Sequence, residues 1–319
     1  MDNSITQENP RKQVNIREIL RNYFSFIGLL IVAIVFEIMT GGDLFESRNL
    51  VNIFNNFFSI GLGAMGVVFL MSLGELDLSV GAIAGLAAAL AAYAARANLA
   101  LILPAAIVAG ILIGLLNGVI ISKFKVESFI GTLAMSFIAR GITTWLLNGS
   151  VGIPISQNFF DQNSIKIAAF VLFLVVLFLL FEFMPFGKCC RAIGSSSNAA
   201  RQAGVRVEKT KILAFVISGL MCGLVGFFSL VRTCTASSQT GNAFEFDVLL
   251  AVLFGGMPLT GGWPVKFRSA VIGSIAMAIM KIGMSVMGID GLTQQIVEGV
   301  ILIIIVVIAF DRKSAGVIK

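Results

Sequence analysis

The segment Pro185–Lys211 reads PFGKCCRAIGSSSNAARQAGVRVEKTK and is the longest polar interruption after the first hydrophobic span of this chain. Its basic side chains, against the single acid Glu208, are Lys188, Arg191, Arg201, Arg206, Lys209 and Lys211. An excess of basic residues in a short loop between membrane spans marks the cytoplasmic side of a bilayer. The segment therefore predicts a cytoplasmic loop.

A short helix is predicted within this loop, from Ser195 to Ala203. Serine and asparagine side chains can cap its start, alanines favour its continuation, and Gly204 ends it. A short capped helix in a cytoplasmic loop predicts contact with a partner, through Ser195, Ser196, Asn198, Ala199, Ala200, Arg201 and Gly204.

The composition around this loop is that of a polytopic membrane protein. Hydrophobic residues make up 57% of the chain and charged residues 13%, against about a quarter charged in soluble domains. At 319 residues, and with about 20 apolar residues per crossing, the spans leave no room for a soluble catalytic domain. The net charge of +6 comes from loops next to spans, so it indicates topology and not nucleic-acid binding.

Cofactor and metal chemistry have no sequence support. The cysteines at 189, 190, 222 and 234 lack metal-ligand or disulfide spacing, and the chain has no histidine. Neither a catalytic residue nor a cofactor is predicted. The first 22 residues are polar and mixed in charge, unlike a cleavable signal peptide, so the first span is expected to stay as an anchor.

Ten membrane spans are predicted from the apolar runs, which makes the fold all-α. They cover about 24–40, 50–73, 78–95, 100–122, 129–147, 165–184, 212–230, an eighth span from 247, 269–287 and 292–310. This count puts both termini and nearly every basic cluster in the cytoplasm, and residues 232–246 outside. The predicted organisation is a tail (1–22), one transmembrane domain (23–311) that includes the loop 185–211, and a second tail (312–319).

Two of the spans are interrupted by glycine-rich sequence. Gly74–Gly81 reads GELDLSVG, and Gly255–Pro264 reads GGMPLTGGWP, with four glycines and two prolines. The two interruptions lie in corresponding halves of the chain, a pattern typical of transporters built from two structural repeats. Direct similarity between the halves is weak.

The first interruption contains two acids, for which two interpretations stay open. Asp77 can cap the following helix by accepting hydrogen bonds from the free amides near Ser79 and Val80. Alternatively, Glu75 and Asp77 lie beside a solute pathway or gate, because broken helices at membrane depth are tolerated where they are buried in protein or line a cavity.

Further polar side chains inside the spans are candidates for the same pathway or gate. Asn56 shares a helix face with Asn52 and Ser59. Asn117 and Arg140 lie in the fourth and fifth spans, where such groups need partners in protein or water. For Arg140, pairing for stability and lining a polar cavity both stay open. The pathway candidates are Asn56, Glu75, Asp77, Ser79, Asn117, Arg140, Gly255 and Gly256.

These motifs resemble the permease subunits of ribose-type ABC sugar importers, over nearly the whole chain after residue 45. The matching stretches are Asp77–Gly81, Asn117–Gly118, Phe129–Leu133, Arg140–Gly141, Ala192–Gly194, Ala199–Arg201, Gly204–Val205, and Gly273, Gly283, Gly288, Gln295 and Gly299. The chain departs from the family pattern at Glu75, Ser195–Ser196, Asn198 and Met257–Pro258.

The resemblance implies a type II ABC importer-like fold in the bacterial plasma (inner) membrane. It also implies a homodimer or pseudo-dimer of permease subunits, an ATPase subunit that contacts the loop from Ser195 to Gly204, and an extracytoplasmic sugar-binding protein. The implied solute is a monosaccharide such as ribose. A nucleoside or another sugar-like solute is the alternative.

The chain has no phosphate-binding loop of the form GxxxxGK followed by serine or threonine, so energy for transport must come from another subunit or from an ion gradient. Two rival hypotheses follow from the residues. An ion-coupled secondary transporter would use Glu75 and Asp77 as carriers. An intramembrane enzyme would need a nucleophile–base pair, and no spacing in the sequence indicates one.

Overall fold

A computed structural model describes residues 16–153, 159–262 and 265–309 of the chain. The helices in these ranges are α1 (Ile16–Met39), α2 (Ser47–Ser72), α3 (Val80–Ala97), α4 (Ile102–Lys123), α5 (Ser128–Leu147), α6 (Asn163–Glu182), α7 (Pro185–Ser195), α8 (Ser197–Gln202), α9 (Val207–Thr233), α10 (Phe244–Phe254), α11 (Arg268–Val286) and α12 (Gly291–Ala309). Of the helices in the described ranges, seven have the length and composition to cross a membrane: α2, α3, α4, α5, α6, α9 and α11. The prediction of an α-helical, polytopic membrane protein is confirmed.

The helices follow the predicted spans closely. Helices α2 to α6 and α9 to α12 begin and end within a few residues of the apolar runs, because those runs are long and bounded by polar or glycine residues. Helix α1 begins at Ile16, inside the predicted tail 1–22, so the end of that tail is continuous with the first helix. The rest of that tail and all of the predicted tail 312–319 lie outside the described residues.

Close contact between small residues builds the centre of the fold. Helix α9 packs against α2, α3 and α4. A Cβ added to Gly219 of α9 would lie 2.2 Å from the carbonyl oxygen of Gly110 on α4, and one added to Gly226 would lie 2.3 Å from that of Ala84 on α3. Small residues at such positions let membrane helices approach closely. The glycines of the fourth and seventh spans therefore serve helix packing.

The second interruption separates α10 from α11. Helix α10 has 11 residues, which at 1.5 Å per residue span about 16 Å, too little to cross a hydrocarbon core of about 30 Å. Gly256 adopts a positive φ of 82° just after its end, and none of the described residues from there to α11 is helical. Trp263 and Pro264, the last residues of the predicted interruption, lie outside the described residues.

The predicted cytoplasmic loop holds two helices, where a single helix from Ser195 to Ala203 was predicted. Pro185 occupies the first turn of α7, which ends at Ser195, and Ser196 separates α7 from α8. The prediction missed α7 because its glycines and paired cysteines are weak helix formers. Its register is set by the burial of Cys190, Arg191 and Ile193.

A short two-stranded sheet is a further departure from the all-α expectation. Strand β1 (Ser150–Gly152) pairs antiparallel with β2 (Thr235–Ser237), and Val151 lies opposite Ala236. Each strand has three residues, too few for a period-2 pattern to stand out in the sequence. The pairing joins the segments that follow α5 and α9.

Candidate functional site

The first interruption begins with a glycine-terminated helix end. Gly74 has a φ of 77°. Its N–H donates to the carbonyl of Met71, and the N–H of Glu75 donates to that of Leu70 at 3.0 Å. These two bonds form a Schellman motif, which satisfies carbonyls left free at the end of α2. The chain is therefore held in a defined direction as it leaves the helix.

Helix α5 satisfies the backbone of the non-helical residues that follow. The Leu76 N–H donates to Ser128 Oγ at 3.2 Å, and the Leu78 N–H donates to Thr132 Oγ1 at 3.0 Å. Buried backbone groups need such partners, because lipid offers none. The two hydroxyls stand four residues apart on one face of α5. This spacing is a pattern from which their common role as acceptors could have been predicted.

Asp77, Ser79 and Asn117, three of the predicted pathway residues, form one buried network. Asp77 Oδ1 accepts from the Ser79 N–H at 2.8 Å and from the Ser79 hydroxyl at 2.5 Å. Asn117 Nδ2 donates to Ser79 Oγ at 2.9 Å, and the Ser218 hydroxyl donates to Asp77 Oδ2 at 3.4 Å. Asp77 thus holds the start of α3 and links it to α4 and α9. The contribution of Ser218 was not anticipated.

Glu75 has a different partner, although it lies two residues from Asp77. Its carboxylate forms an ion pair with Lys211 near the start of α9. The pair borders a cavity of about 430 Å³ that is also lined by Arg201 of α8 and Glu208 of α9. The two acids of the first interruption therefore face separate environments.

Arg140 is paired with Glu245, an acid predicted to lie in the external loop 232–246. Helix α10 begins at Phe244, three residues before the predicted start of the eighth span, and Glu245 is buried in its first turn. Arg140 Nη2 donates to both carboxylate oxygens of Glu245 at 3.2 Å and to the Gly241 carbonyl at 3.0 Å. In the sequence, an acid next to an apolar run indicates the end of a membrane span. Only the position of Arg140 in the structure shows that Glu245 lies inside the helix bundle.

Asn56 lines a smaller polar cavity of about 170 Å³ between α2, α3, α9 and α10. Ser59, Thr240, Gly241 and Asp247 are among its other lining residues. The Asn56 amide donates to the Asn52 carbonyl at 3.0 Å, which leaves its amide oxygen for other donors. The shared face of Asn56 and Ser59 was predicted, whereas Thr240 and Asp247 come from the second half of the chain.

Asp247 also belongs to a second group of buried charges. Lys281 Nζ of α11 lies 2.6 Å from Asp247 Oδ2 and 3.9 Å from Glu298 Oε1 of α12. Three consecutive helices of the second half are thereby linked through one ammonium group. None of these three residues was singled out in the sequence.

Gly255 and Gly256 serve the geometry of the second interruption. A Cβ on Gly255 would lie 2.0 Å from the Ser269 carbonyl oxygen, so only glycine permits this approach to α11. Gly256 needs its positive φ for the turn that follows α10. No donor or acceptor side chain stands at either position.

The two interruptions meet beside α7. The Gly262 N–H donates to the Ser72 carbonyl at 2.9 Å, and a Cβ on Gly194 of α7 would lie 2.1 Å from the same carbonyl oxygen. Arg191 anchors α7 through Glu182 at 2.7 Å. Both interruptions and the predicted cytoplasmic loop therefore share one contact zone.

Helix α8 presents most of its side chains to solvent. The Ser196 hydroxyl caps it by accepting from the Ala199 N–H at 3.3 Å, and Gly204 follows its end with a φ of 85°. Ser195, Ser196, Asn198, Ala199, Arg201 and Gly204 are exposed, whereas Ala200 is buried and faces the protein. Ala200 thus packs α8 against the rest of the protein, and the residues around it form a solvent-exposed surface.

Metal-binding and thiol chemistry have no geometric support in this region. Within the residues that the structure describes, no group of three His, Cys, Asp or Glu side chains could hold a metal ion. Cys190 of α7 is buried, and this burial raises the pKa of its thiol to about 12. The thiol is therefore protonated and unreactive at neutral pH.

Comparison with known proteins assigns the chain to a family. The model of the family described as "Branched-chain amino acid transport system / permease component" matches residues 49–306. The ribose import permease of Bacillus subtilis is 29% identical over 97% of this chain and 98% of its own length. The L-arabinose ABC transporter permease of Azospirillum brasilense is 30% identical over 86% of this chain and 84% of its own.

A third relative, the xylose transport system permease of Haemophilus influenzae, is 28% identical over 92% of this chain and 97% of its own. No solved structure matches the chain. The resemblance to ribose-type ABC permeases is confirmed by these relatives. The chain therefore belongs to the family of transport-system permease components, and it is a multi-pass transport subunit of the bacterial inner membrane.

Proposed function

We propose that this chain is the membrane-spanning subunit of an ATP-binding cassette importer that takes up a monosaccharide such as ribose. The proposal is supported by relatives named as ribose, arabinose and xylose permeases. One observation carries this proposal. In the cytoplasmic loop, α8 is exposed to solvent, whereas α7 packs against the place where the two interruptions contact each other. An ATPase subunit bound to α8 would thus act directly on the interruptions.

The contacts of α7 support this coupling. Arg191 Nη2 donates to the Phe181 carbonyl at 3.2 Å, and its partner Glu182 accepts from the Phe267 N–H at 3.0 Å. Helix α7 is thereby attached to the end of α6 and to the residue before α11. A rigid-body shift of α7 and α8 would move the cytoplasmic ends of these helices together.

The remaining organisation belongs to the same proposal. The chain crosses the membrane ten times with both termini in the cytoplasm, the short α10 and the segment after it together making the eighth crossing, and residues 23–311 form one transmembrane domain. Two permease subunits, as a homodimer or pseudo-dimer, form the pathway. A binding protein outside the membrane delivers the solute. The basic side chains at the cytoplasmic ends of the helices support this orientation.

The chemistry of the cavity at Asn56 supports a small, hydroxyl-rich solute. Amide, hydroxyl and carboxylate groups from Asn56, Ser59, Ser229, Thr240 and Asp247 surround about 170 Å³. Such groups donate and accept hydrogen bonds in the way that sugar hydroxyls require. The network of Asp77, Ser79 and Asn117 positions the start of α3, one of the helices that line this cavity.

Transport by the reconstituted importer tests the proposal. The chain is co-expressed with the ATPase and binding protein of its own operon, and uptake of labelled ribose, arabinose and xylose into proteoliposomes is measured with and without internal ATP. We expect ATP-dependent uptake of one of these sugars, with competition by unlabelled nucleosides identifying the alternative solute class. Uptake that follows a proton or sodium gradient without ATP would instead establish the ion-coupled carrier.

The docking part of the proposal has its own variant. Arg201→Glu reverses a charge on the exposed face of α8 and should abolish co-purification of the ATPase and ATP-dependent uptake, with membrane insertion unchanged. Lys123→Glu, an exposed basic residue at the end of α4, is the matched control and should retain both. Full ATPase co-purification with Arg201→Glu would show that α8 is not the docking element.

A further inference from the structure

The ion pair between Glu75 and Lys211 joins the cytoplasmic loop to the first interruption. Glu75 is held at the end of α2 by the bond from its N–H to the Leu70 carbonyl. Lys211 lies in the second turn of α9, the helix that begins directly after α8 and Gly204. The two side chains therefore bridge elements that are 136 residues apart in sequence.

The surroundings of this pair make it stronger than an exposed ion pair. The Lys211 side chain is 22% exposed and that of Glu75 is 12% exposed, so water screens their attraction only in part. The cavity beside them contains other charged groups, on Lys125, Glu127, Arg201 and Glu208. Arg201 belongs to the exposed surface of α8, so the pair and the proposed docking surface border the same cavity.

Movement of Glu75 would be passed on to the start of α3. Each of the next three residues forms hydrogen bonds: the N–H groups of Leu76 and Leu78 donate to side chains of α5, and the Asp77 carboxylate accepts from Ser79 and Ser218. Ser218 stands seven residues beyond Lys211 and therefore on the same face of α9. Helix α9 thus contacts the interruption at two successive points, Glu75 and Asp77.

Building on the proposed function, we propose that Glu75 and Lys211 are positioning residues which couple displacement of the cytoplasmic loop to the first interruption. The pair transmits force between α9 and the non-helical segment and takes no part in binding either ATP or solute. Its loss should leave the ATPase attached while making its cycle less effective in moving solute.

The number of ATP molecules hydrolysed per solute imported measures this role in the complete reconstituted importer. Glu75→Gln and Lys211→Gln each break the pair and should raise this ratio about five- to tenfold, with ATPase co-purification unchanged. The combined exchange Glu75→Lys with Lys211→Glu should bring the ratio back to within about twofold of the natural protein, because paired residues are non-additive. Lys209→Gln, an exposed lysine in the same stretch of α9, is the matched control.

Each outcome bears on the pair separately from the proposed function. Unchanged ratios in both single variants would overturn the inference, and so would an exchange variant no better than the worse single variant. Where a single variant reaches the membrane poorly, the exchange variant decides: recovery of both protein level and ratio supports the pair, and recovery of level alone refutes it. An importer in which the natural chain binds no ATPase would refute the proposed function itself.

Discussion

Removing Arg140 should destabilise the protein strongly, because Glu245 would then remain as an unpaired buried carboxylate. Arg140 Nη2 lies 3.2 Å from both Glu245 oxygens and 3.0 Å from the Gly241 carbonyl. With an effective dielectric constant of 20, the attraction at this distance is about 5 kcal/mol. The Arg140 side chain is 25% exposed, and desolvation offsets part of the gain, so we expect Arg140→Met to cost about 2–4 kcal/mol.

Replacement of both partners separates the cost of an unpaired charge from the net value of the pair. Arg140→Met combined with Glu245→Leu removes both charges and should lie within about 1 kcal/mol of the natural protein. Equilibrium unfolding in mixed micelles, followed by circular dichroism, gives the free energies for the natural protein, the two single variants and the double variant. Arg232→Met, at an exposed position near the end of α9, is the control and should change stability by less than about 0.5 kcal/mol.

Two results would refute this reasoning. An Arg140→Met variant as stable as the natural protein would mean that Glu245 is satisfied without its guanidinium partner. A double variant less stable than either single variant would mean that each charged side chain stabilises the protein through contacts other than the ion pair. Both results can be read from the same set of unfolding curves.

Three further predictions concern packing, backbone satisfaction and thiol reactivity. Gly219→Ala should lower stability by about 1–3 kcal/mol in the unfolding assay, because the new methyl group would meet a backbone carbonyl of α4 at 2.2 Å. Thr132→Val should cost about 1–3 kcal/mol, because the buried N–H of Leu78 loses its acceptor. Cys190, whose pKa burial raises to about 12, should resist N-ethylmaleimide at pH 7 while the half-buried Cys189 reacts, as measured by peptide mass spectrometry.

Matched controls accompany these three experiments. Gly141→Ala adds a methyl group in open space on α5 and should be tolerated, and Thr132→Ser keeps the acceptor oxygen and most of the stability.

Denatured protein should react at Cys190. The thiol of Cys190 ionises near its ordinary pKa of 9.0 in the unfolded chain and at about 12 in the folded protein. Burial of this thiol therefore adds to the stability of the folded state at neutral pH, and this contribution is lost as the pH rises from about 9 toward 12. Rapid labelling of Cys190 in the folded protein would contradict the burial of this face of α7.

The local features of the fold could be predicted because each depends on neighbouring residues. The apolar runs determine the spans, and the glycines at 74 and at 255–256 determine where α2 and α10 stop. Gly204 ends α8 and Ser196 begins it for reasons that hold in any tertiary context. Helix α7 was missed because its sequence has low helix propensity and its helix depends on burial against α6 and the interruptions.

The sequence by itself determined that this is a helical, polytopic membrane protein with glycine-rich breaks after α2 and α10 and a basic loop before α9, since hydropathy, charge and glycine content act locally. Only the tertiary structure decided the partners: Arg140 with Glu245, Glu75 with Lys211, and Asp77 with Ser218. These pairs join residues more than a hundred positions apart, and their formation depends on the register in which helices pack. No local pattern carries that register, because it is set by close contacts such as those between the glycines of α4 and α9.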